Sequence, residues 1–432
     1  MGVVTIPVAE VILWSKRIGA VAWDVERQIA DFEYDPGFLS SGVQVAPLTM
    51  PLGPGVFRFP ELAYETYRGL PGLIADSLPD TFGNAVIDAW LRRQGRNRDS
   101  FTPVEQLLHI GARGMGALEY RPPVERAEGP SAIDVDSLAE LAAAVLAERR
   151  GLRADLDDEG IGDLLKVGTS AGGARAKALI AWNPSTDEVL SGQVPAPEGF
   201  EPWLLKFDGV GSRDHDLIDP KGFGLVEYAY HLMAMKLGIT MTECRIMTDG
   251  HGRSHFMTRR FDRTRQGGKR HVQTLTAVAH YDFNQPGRYG YEDALEVSRR
   301  LGVPEPDMGQ LFKRMVFNVV ARNQDDHTKN IAYAMNKAGE WRLAPAYDVM
   351  WAFNPAGEWT ARHQMTINAK RDGFGRQDLR AVAAETGVDD PDDVLDETIG
   401  VVSRWPVYAK EAGVDGDFIE FIRSTHRLDW PH

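Results

Sequence analysis

Between Asp307 and Arg322 the apolar residues Leu311, Phe312, Met315, Val316, Val319 and Val320 return every three or four positions, which predicts a helix with one buried face. Two short strand-like runs follow, Ile331–Met335 and Trp341–Leu343, and the intervening Asn336-Lys337-Ala338-Gly339 predicts a hairpin turn. Further upstream, Ala178–Trp182 and Pro202–Phe207 read as strands around a turn at 183–187. A helix is predicted over Gly222–Leu237, with Leu225, Tyr228, Leu232 and Met235 on one face and Gly238 as its stop. Another is predicted over Val135–Arg149, from Leu138, Leu141, Val145 and Leu146. Before it, Val11–Phe32 and Val43–Leu48 are β-rich, Gly72–Gln94 is helical in character, and 126–132 reads as a linker. Beyond Arg265 the pattern is mostly helical, including Leu295–Leu301, Gln377–Glu385 and Asp390–Trp405. The expected fold class is α+β, with units over 1–128, 129–265 and 266–432.

Chemistry enters at the end of the Asp307–Arg322 helix. Residues 323–330 read Asn-Gln-Asp-Asp-His-Thr-Lys-Asn, so Asp325 and Asn330 stand five apart, and the hairpin that follows returns the chain to Asp348. This is the spacing at which a kinase catalytic loop places the aspartate that takes the proton of the attacking hydroxyl and the asparagine that holds magnesium. Magnesium seeks hard oxygen donors, so a further carboxylate is required, and Asp348 supplies it. Taken singly, such residues are ordinary turn formers and helix caps. The set of three after a buried helix and around a hairpin carries the reading. His327 either orients Asp325, touches a phosphate or makes a structural hydrogen bond.

A grip for nucleotide lies upstream, in 167–177, where Gly168, Gly172 and Gly173 let backbone amides approach phosphate oxygens. Ala174 stands where a Walker A loop requires lysine, so a P-loop enzyme does not fit. Lys206 lies on an otherwise apolar strand, where an ammonium needs a counter-charge, and Glu227 on the next helix offers one. Such a strand-lysine and helix-glutamate pair holds nucleotide phosphates in kinases.

The order of these parts resembles the HipA toxins, serine/threonine kinases of bacterial type II toxin–antitoxin modules. The residues that carry the resemblance are 170–177 (Ser-Ala-Gly-Gly-Ala-Arg-Ala-Lys), Lys206, 259–263 (Arg-Arg-Phe-Asp-Arg), Asn323 to Asn330, and Tyr347-Asp348. In the amino-terminal third they are 78–84 (Leu-Pro-Asp-Thr-Phe-Gly-Asn) and 107–111 (Leu-Leu-His-Ile-Gly). The resemblance implies a two-lobed protein-kinase-like fold with an α-helical carboxy-terminal lobe and an additional small β-rich amino-terminal domain. It makes Asp325 the catalytic base, Asn330 and Asp348 magnesium ligands, and Lys206 a phosphate contact for ATP. The loop Gly172, Gly173, Ala174, Arg175, Ala176 and Lys177 would cover the nucleotide, with Arg259, Arg260 and Phe261 as the hinge beside adenine and His327, Lys329 and Tyr347 lining the site. Ser170 falls on the family's regulatory autophosphorylation serine, with Thr169 beside it. Family members phosphorylate proteins, aminoacyl-tRNA synthetases among them, and are restrained by a helix-turn-helix antitoxin of the HipB kind. Arg259 stands where an acidic residue is expected, and 274–291 departs from the family's pattern.

Composition narrows the picture. A net charge of −14 over 432 residues is the wrong sign for a chain that grips nucleic acid unaided, so DNA is expected only through an antitoxin. One cysteine, Cys244, excludes an internal disulfide framework and suits a reducing cytoplasm; it reads as a buried apolar residue. No apolar run approaches the ~20 residues of a membrane span, and Glu10, Lys16 and Arg17 interrupt any signal-peptide pattern. A small-molecule phosphotransferase would share the Asp-to-Asn spacing and differ in lacking the amino-terminal module and Ser170. A metal hydrolase on Asp325, Asp326, His327 and Asp348 leaves Lys206 unexplained, and a catalytically silent adaptor has no use for base, ligands and lysine together.

Overall fold

In β1 (Val8–Leu13), β2 (Lys16–Asp24) and β3 (Ile29–Tyr34) buried and exposed positions alternate closely enough for one face to pack inward while the other meets water. These strands form a meander that β4 (Val56–Phe57) and β5 (Leu118–Arg121) extend to the order β4-β3-β2-β1-β5. The computed structural model describes residues 7–122, 131–149, 160–162, 164–165, 175–192, 196–210, 221–264 and 267–431. Thr169, Ser170, Gly172, Gly173 and Ala174, with most of the expected linker, lie outside the described residues.

A second antiparallel sheet, of order β7-β6-β8-β10-β9, comprises β6 (Lys177–Trp182), β7 (Val189–Ser191), β8 (Glu201–Lys206), β9 (Cys244–Thr248) and β10 (Ser254–Arg259). The helix Phe223–Lys236 connects β8 to β9 and lies against β10. The third sheet, β11 (His271–Thr274), β12 (Ala332–Met335) and β13 (Trp341–Leu343), is embedded in a helical lobe. That lobe is built on the helix Glu305–Val320, with Pro391–Val402, Trp405–Ala412 and Gly416–Thr425 at the carboxy-terminal end. The fold is thus α+β and kinase-like: a sheet lobe and a helical lobe, preceded by a β-rich module.

Several sequence expectations are corrected. The stretch 43–48 is irregular: Val45 and Ala46 are buried, but Pro47 removes a donor that a strand ladder needs. Gly72–Gln94 is two helices, Gly72–Ala75 and Thr81–Arg93, because Pro79 interrupts the chain and Asp80 begins the second as an extended cap. Lys177 opens β6 instead of closing a loop. β11 was not anticipated after Arg265; it forms because β12 offers a paired edge. Asp390–Trp405 divides into two helices at Ser403–Arg404, and the helix ahead of the Asp325 loop stops at Val320. Arg322 turns that corner at φ 59°, held by a bond from its Nε to Thr425 O (2.7 Å) and by the Phe353 ring beneath its guanidinium.

Helix Phe223–Lys236 is also rotated from expectation. Met235 is 48% exposed, and the buried face carries Val226, Glu227, Tyr230, Met233 and Ala234. The helix is apolar nearly all round, so periodicity alone could not choose the face.

The amino-terminal module meets the sheet lobe through a buried charge cluster. Asp262 accepts hydrogen bonds from Arg260 Nε and Nη2 (2.9 and 2.7 Å), Arg263 Nη1 (2.6 Å) and the Gly116 amide (2.8 Å). Arg263 donates in turn to Gly116 O and Gly114 O. Burial alone would raise the Asp262 carboxyl; the two guanidiniums reverse this and hold it far below the ordinary range. Asp262→Ala leaves two buried cations without their partner, so it should cost about 3–5 kcal/mol, read as a lowered midpoint in urea unfolding with the slope unchanged.

Candidate active site

The loop after Glu305–Val320 is fixed by its neighbours before any ligand is considered. Asp326 is buried and accepts from His363 Nδ1 (2.8 Å), the Gln364 amide (2.8 Å) and Tyr291 OH (3.0 Å). Burial would raise its carboxyl, and these donors bring it below the usual value, so Asp326 is an ionised anchor of the loop. Thr328 Oγ1 meets Thr276 Oγ1 at 2.7 Å on the far side. With the loop held at both ends, Asp325 projects a free carboxylate edge and Asn330 folds back, its Nδ2 donating to Asp325 O (2.7 Å).

Asp325 Oδ1 accepts from Trp359 Nε1 at 2.7 Å, and His327 Nε2 lies 3.7 Å from the same oxygen. Burial raises the Asp325 carboxyl above the usual value; His327 and the indole N–H oppose the shift without cancelling it. A carboxylate so raised is a better proton acceptor. Asp348 follows the β12–β13 hairpin with φ 51°, a left-handed conformation that turns its side chain toward the sheet lobe.

There Asp348 Oδ1 meets Lys206 Nζ at 2.5 Å, and Lys206 Nζ also stands 2.5 Å from Glu227 Oε1. Lys206 is buried, which by itself would favour the neutral amine; Asp348 and Glu227 overturn that and raise its pKa. Asp348 is correspondingly lowered, burial being outweighed by Lys206 and Lys177. Close packing makes the pair reachable. A Cβ on Gly224 would lie 2.5 Å from Ser254 O, so only glycine lets the helix seat on β10 at this depth and bring Glu227 under Lys206. Arg175 shares Glu227 at 3.1 Å, its guanidinium over the Phe223 ring.

The remaining sequence-predicted residues divide. Phe261 stacks on Tyr347 (centroids 5.9 Å apart, 29° between planes), and Tyr347 OH donates to Lys329 O, so these three close one side of the cleft. Lys329 Nζ lies over the Phe283 ring. Ala176 is buried and its carbonyl accepts from the Phe207 amide. The side chains of Arg259 and Arg260 point elsewhere: Arg259 pairs with Glu201 and Glu243, and Arg260 with Asp262 and Gly192 O. Arg260 is buried and Arg259 half-buried, and each guanidinium is already engaged by carboxylates. Lys177 pairs with Asp80.

The oxygen donors suit magnesium. Asn330 has its amide nitrogen on Asp325 O, which leaves its amide oxygen available to a cation, and the Asp348 carboxyl is held below its usual value by Lys206 and Lys177 against the effect of burial. Among the described residues no cluster of three His, Cys, Asp or Glu could hold a metal alone. Two oxygen ligands completed by substrate phosphates and water are the usual form of a nucleotide-bound magnesium site. Cys244 is buried and its thiol is pushed up to about 12, as befits a packing residue. Sequence reasoning missed Trp359, which no periodicity ties to Asp325, and Gly224, whose role depends on a sheet not adjacent in the chain.

The family model for the HipA N-terminal domain matches residues 9–121, and that for the HipA-like C-terminal domain matches residues 169–405. None of the curated proteins compared matches the chain. Among solved structures, HipA of Shewanella oneidensis MR-1, in a complex with HipB and operator DNA, superposes with a TM-score of 0.64 at 16% identity, over 96% of this chain and 95% of that one. The Helicobacter pylori proinflammatory kinase CtkA aligns over 52% of this chain and 88% of its own at 11% identity, but its TM-score of 0.34 is too low to argue from.

Gly224→Ala should lower stability by about 1–3 kcal/mol, because the added methyl must lift the helix from β10 and separate Glu227 from Lys206. Urea unfolding checks this, and an unchanged midpoint would mean that the helix has slack the packing does not show.

Proposed function

The chain belongs to the HipA family, and from that premise we propose that it is an ATP-dependent serine/threonine protein kinase acting as the toxin of a toxin–antitoxin pair. The observation that carries the reading is Lys206, held between Glu227 on one lobe and Asp348 on the other, at the mouth of the loop bearing Asp325 and Asn330. Kinases need that lysine–glutamate pair and a magnesium-binding aspartate in place together. The domain division proposed is 1–128, 129–265 and 266–432.

Magnesium-bound ATP, held by Asn330, Asp348 and Lys206, would supply the γ-phosphoryl group and the charge neutralisation for its transfer. Asp325 accepts the proton of the acceptor hydroxyl as that oxygen bonds to the γ-phosphorus and the bond to the departing ADP breaks. Trp359 fixes one carboxylate oxygen of Asp325 and leaves the other for that proton. Phe261 and Tyr347 offer an aromatic wall to the base. The acceptor is proposed to be a protein of translation such as an aminoacyl-tRNA synthetase, with Ser170 as the site of inactivating self-modification: a phosphate adds roughly two negative charges at neutral pH, which repel the triphosphate. The proposed partner is a HipB-like helix-turn-helix antitoxin, which would carry the contact to DNA, since the chain's net charge of −14 opposes direct binding.

Asp325→Asn should lower turnover by about 10²-fold or more while keeping the thermal stabilisation given by magnesium and ATP. Its melting temperature without ligand should not fall, because a carboxyl whose folded pKa is raised costs stability above its unfolded pKa, and Asn removes that cost. Intact-mass analysis should find phosphate on Ser170 in the native chain and none in this variant, and phosphoproteomics of cells expressing the two would identify the target.

The acid limb of the kcat profile should lie above the ordinary aspartate range. Trp359→Phe removes a donor to the ionised form of Asp325 and should move that limb to still higher pH. A limb that stays put in this variant would separate Trp359 from the base.

A further inference from the structure

One buried ion pair joins the amino-terminal module to the cleft. Asp80 Oδ2 stands 2.9 Å from Lys177 Nζ, with side-chain exposures of 5% and 3%. Asp80 is placed by the break at Pro79: it is the extended cap of helix Thr81–Arg93, where its Oδ1 accepts from the Gly83 amide at 2.9 Å. The helix it caps belongs to the core of the sheet lobe, since Phe82, Ala85, Val86 and Ala89 pack with Leu138 and Ile180. The module's reach into this lobe is therefore not a grazing contact.

Lys177 is the register partner of Lys206 across β6 and β8. Directly paired residues project from the same face of a sheet, and like charges so placed repel. Two ammonium groups therefore stand side by side at the cleft, each with a carboxylate of its own. Glu227, from the sheet lobe's helix, serves Lys206; Asp80, from the amino-terminal module, serves Lys177. Burial raises the Asp80 carboxyl, with Lys177, the Gly83 amide and Lys329 opposing it, and the Lys177 charge contributes to holding the Asp348 carboxyl low, so these groups share one electrostatic site.

We infer that Asp80 is a positioning residue of this site, holding Lys177 beside Lys206 where the ammonium meets the nucleotide's phosphates. The inference rests on the proposed kinase activity and extends it: the amino-terminal module supplies one of two lysine–carboxylate pairs in the nucleotide cleft. Without Asp80 the Lys177 ammonium loses the carboxylate that fixes its place beside Lys206.

The test uses the full chain and steady-state kinetics with magnesium and ATP. Asp80→Asn keeps the helix cap, for which Asn is as good as Asp, and deletes only the charge. It should raise the KM for ATP about tenfold with kcat changed far less, and Lys177→Met should do the same. Because Asp80 acts through Lys177, the variant carrying both changes should match Lys177→Met alone. That last comparison stands even if Asp80→Asn by itself folds poorly, since the double variant has no unpaired charge at this place. Native KM in Asp80→Asn with a lowered melting temperature would make the pair a strut and overturn the inference, as would effects on KM that simply multiply. A native chain whose melting is unmoved by magnesium and ATP would instead overturn the kinase reading itself.

Discussion

A buried ammonium must have a counter-charge, and the arrangement of this protein follows from meeting that requirement at Lys206 with carboxylates from two different lobes. Burial would strip the lysine of its proton; Glu227 and Asp348 keep it charged, and it in turn keeps Asp348 ionised. The sheet lobe and the helical lobe are thereby coupled through one buried charge. The same rule recurs at Asp262 between Arg260 and Arg263, and the buried Asp326 is met by hydrogen bonds with His363, the Gln364 amide and Tyr291. Each of these anchors lies within a few residues of a group that faces the cleft, so stability and site geometry are supported by the same contacts.

What the sequence disclosed depended on how local its signal was. The helix ahead of Asp325, the hairpin before Asp348 and the extended run ending in Lys206 are written in consecutive residues, and the structure has them within a residue or two of the expected bounds. The pairing of Lys206 with Glu227 was also legible, because an ammonium on an apolar strand has to find a carboxylate. Where the answer lay in tertiary contact, the pattern misled. Helix Phe223–Lys236 has apolar residues on every side, and its buried face was set by the sheet beneath. Trp359 is separated from Asp325 by 34 positions and by a hairpin, and nothing local foretells their bond. Val45 and Ala46 are buried as expected of a strand, yet the backbone there is irregular.

The charges of the cleft also account for the roles of residues that sequence alone grouped together. Arg259, Arg260 and Phe261 are contiguous, but the two guanidiniums are bound to carboxylates on the sheet and at the module junction while the ring turns to Tyr347. The strand β10 ends at Arg259 and Phe261 lies in a turn, so a motif read as one unit is three contacts in different environments.

Gly224 has an implication for how such a site is governed. In many kinases the helix that carries the glutamate swings or rotates, and its position decides whether the enzyme is on. Here the amino-terminal turn of that helix is tied down from three directions. Gly224 presses on Ser254 O; the Asp208 carboxylate accepts from the Gly222 amide (2.9 and 3.1 Å); and helix Trp405–Ala412 covers the outer side. The helix start is thereby fixed by the static packing of its neighbours. Lys206 and Glu227 are brought together by packing alone, with no ligand or partner needed to assemble the pair.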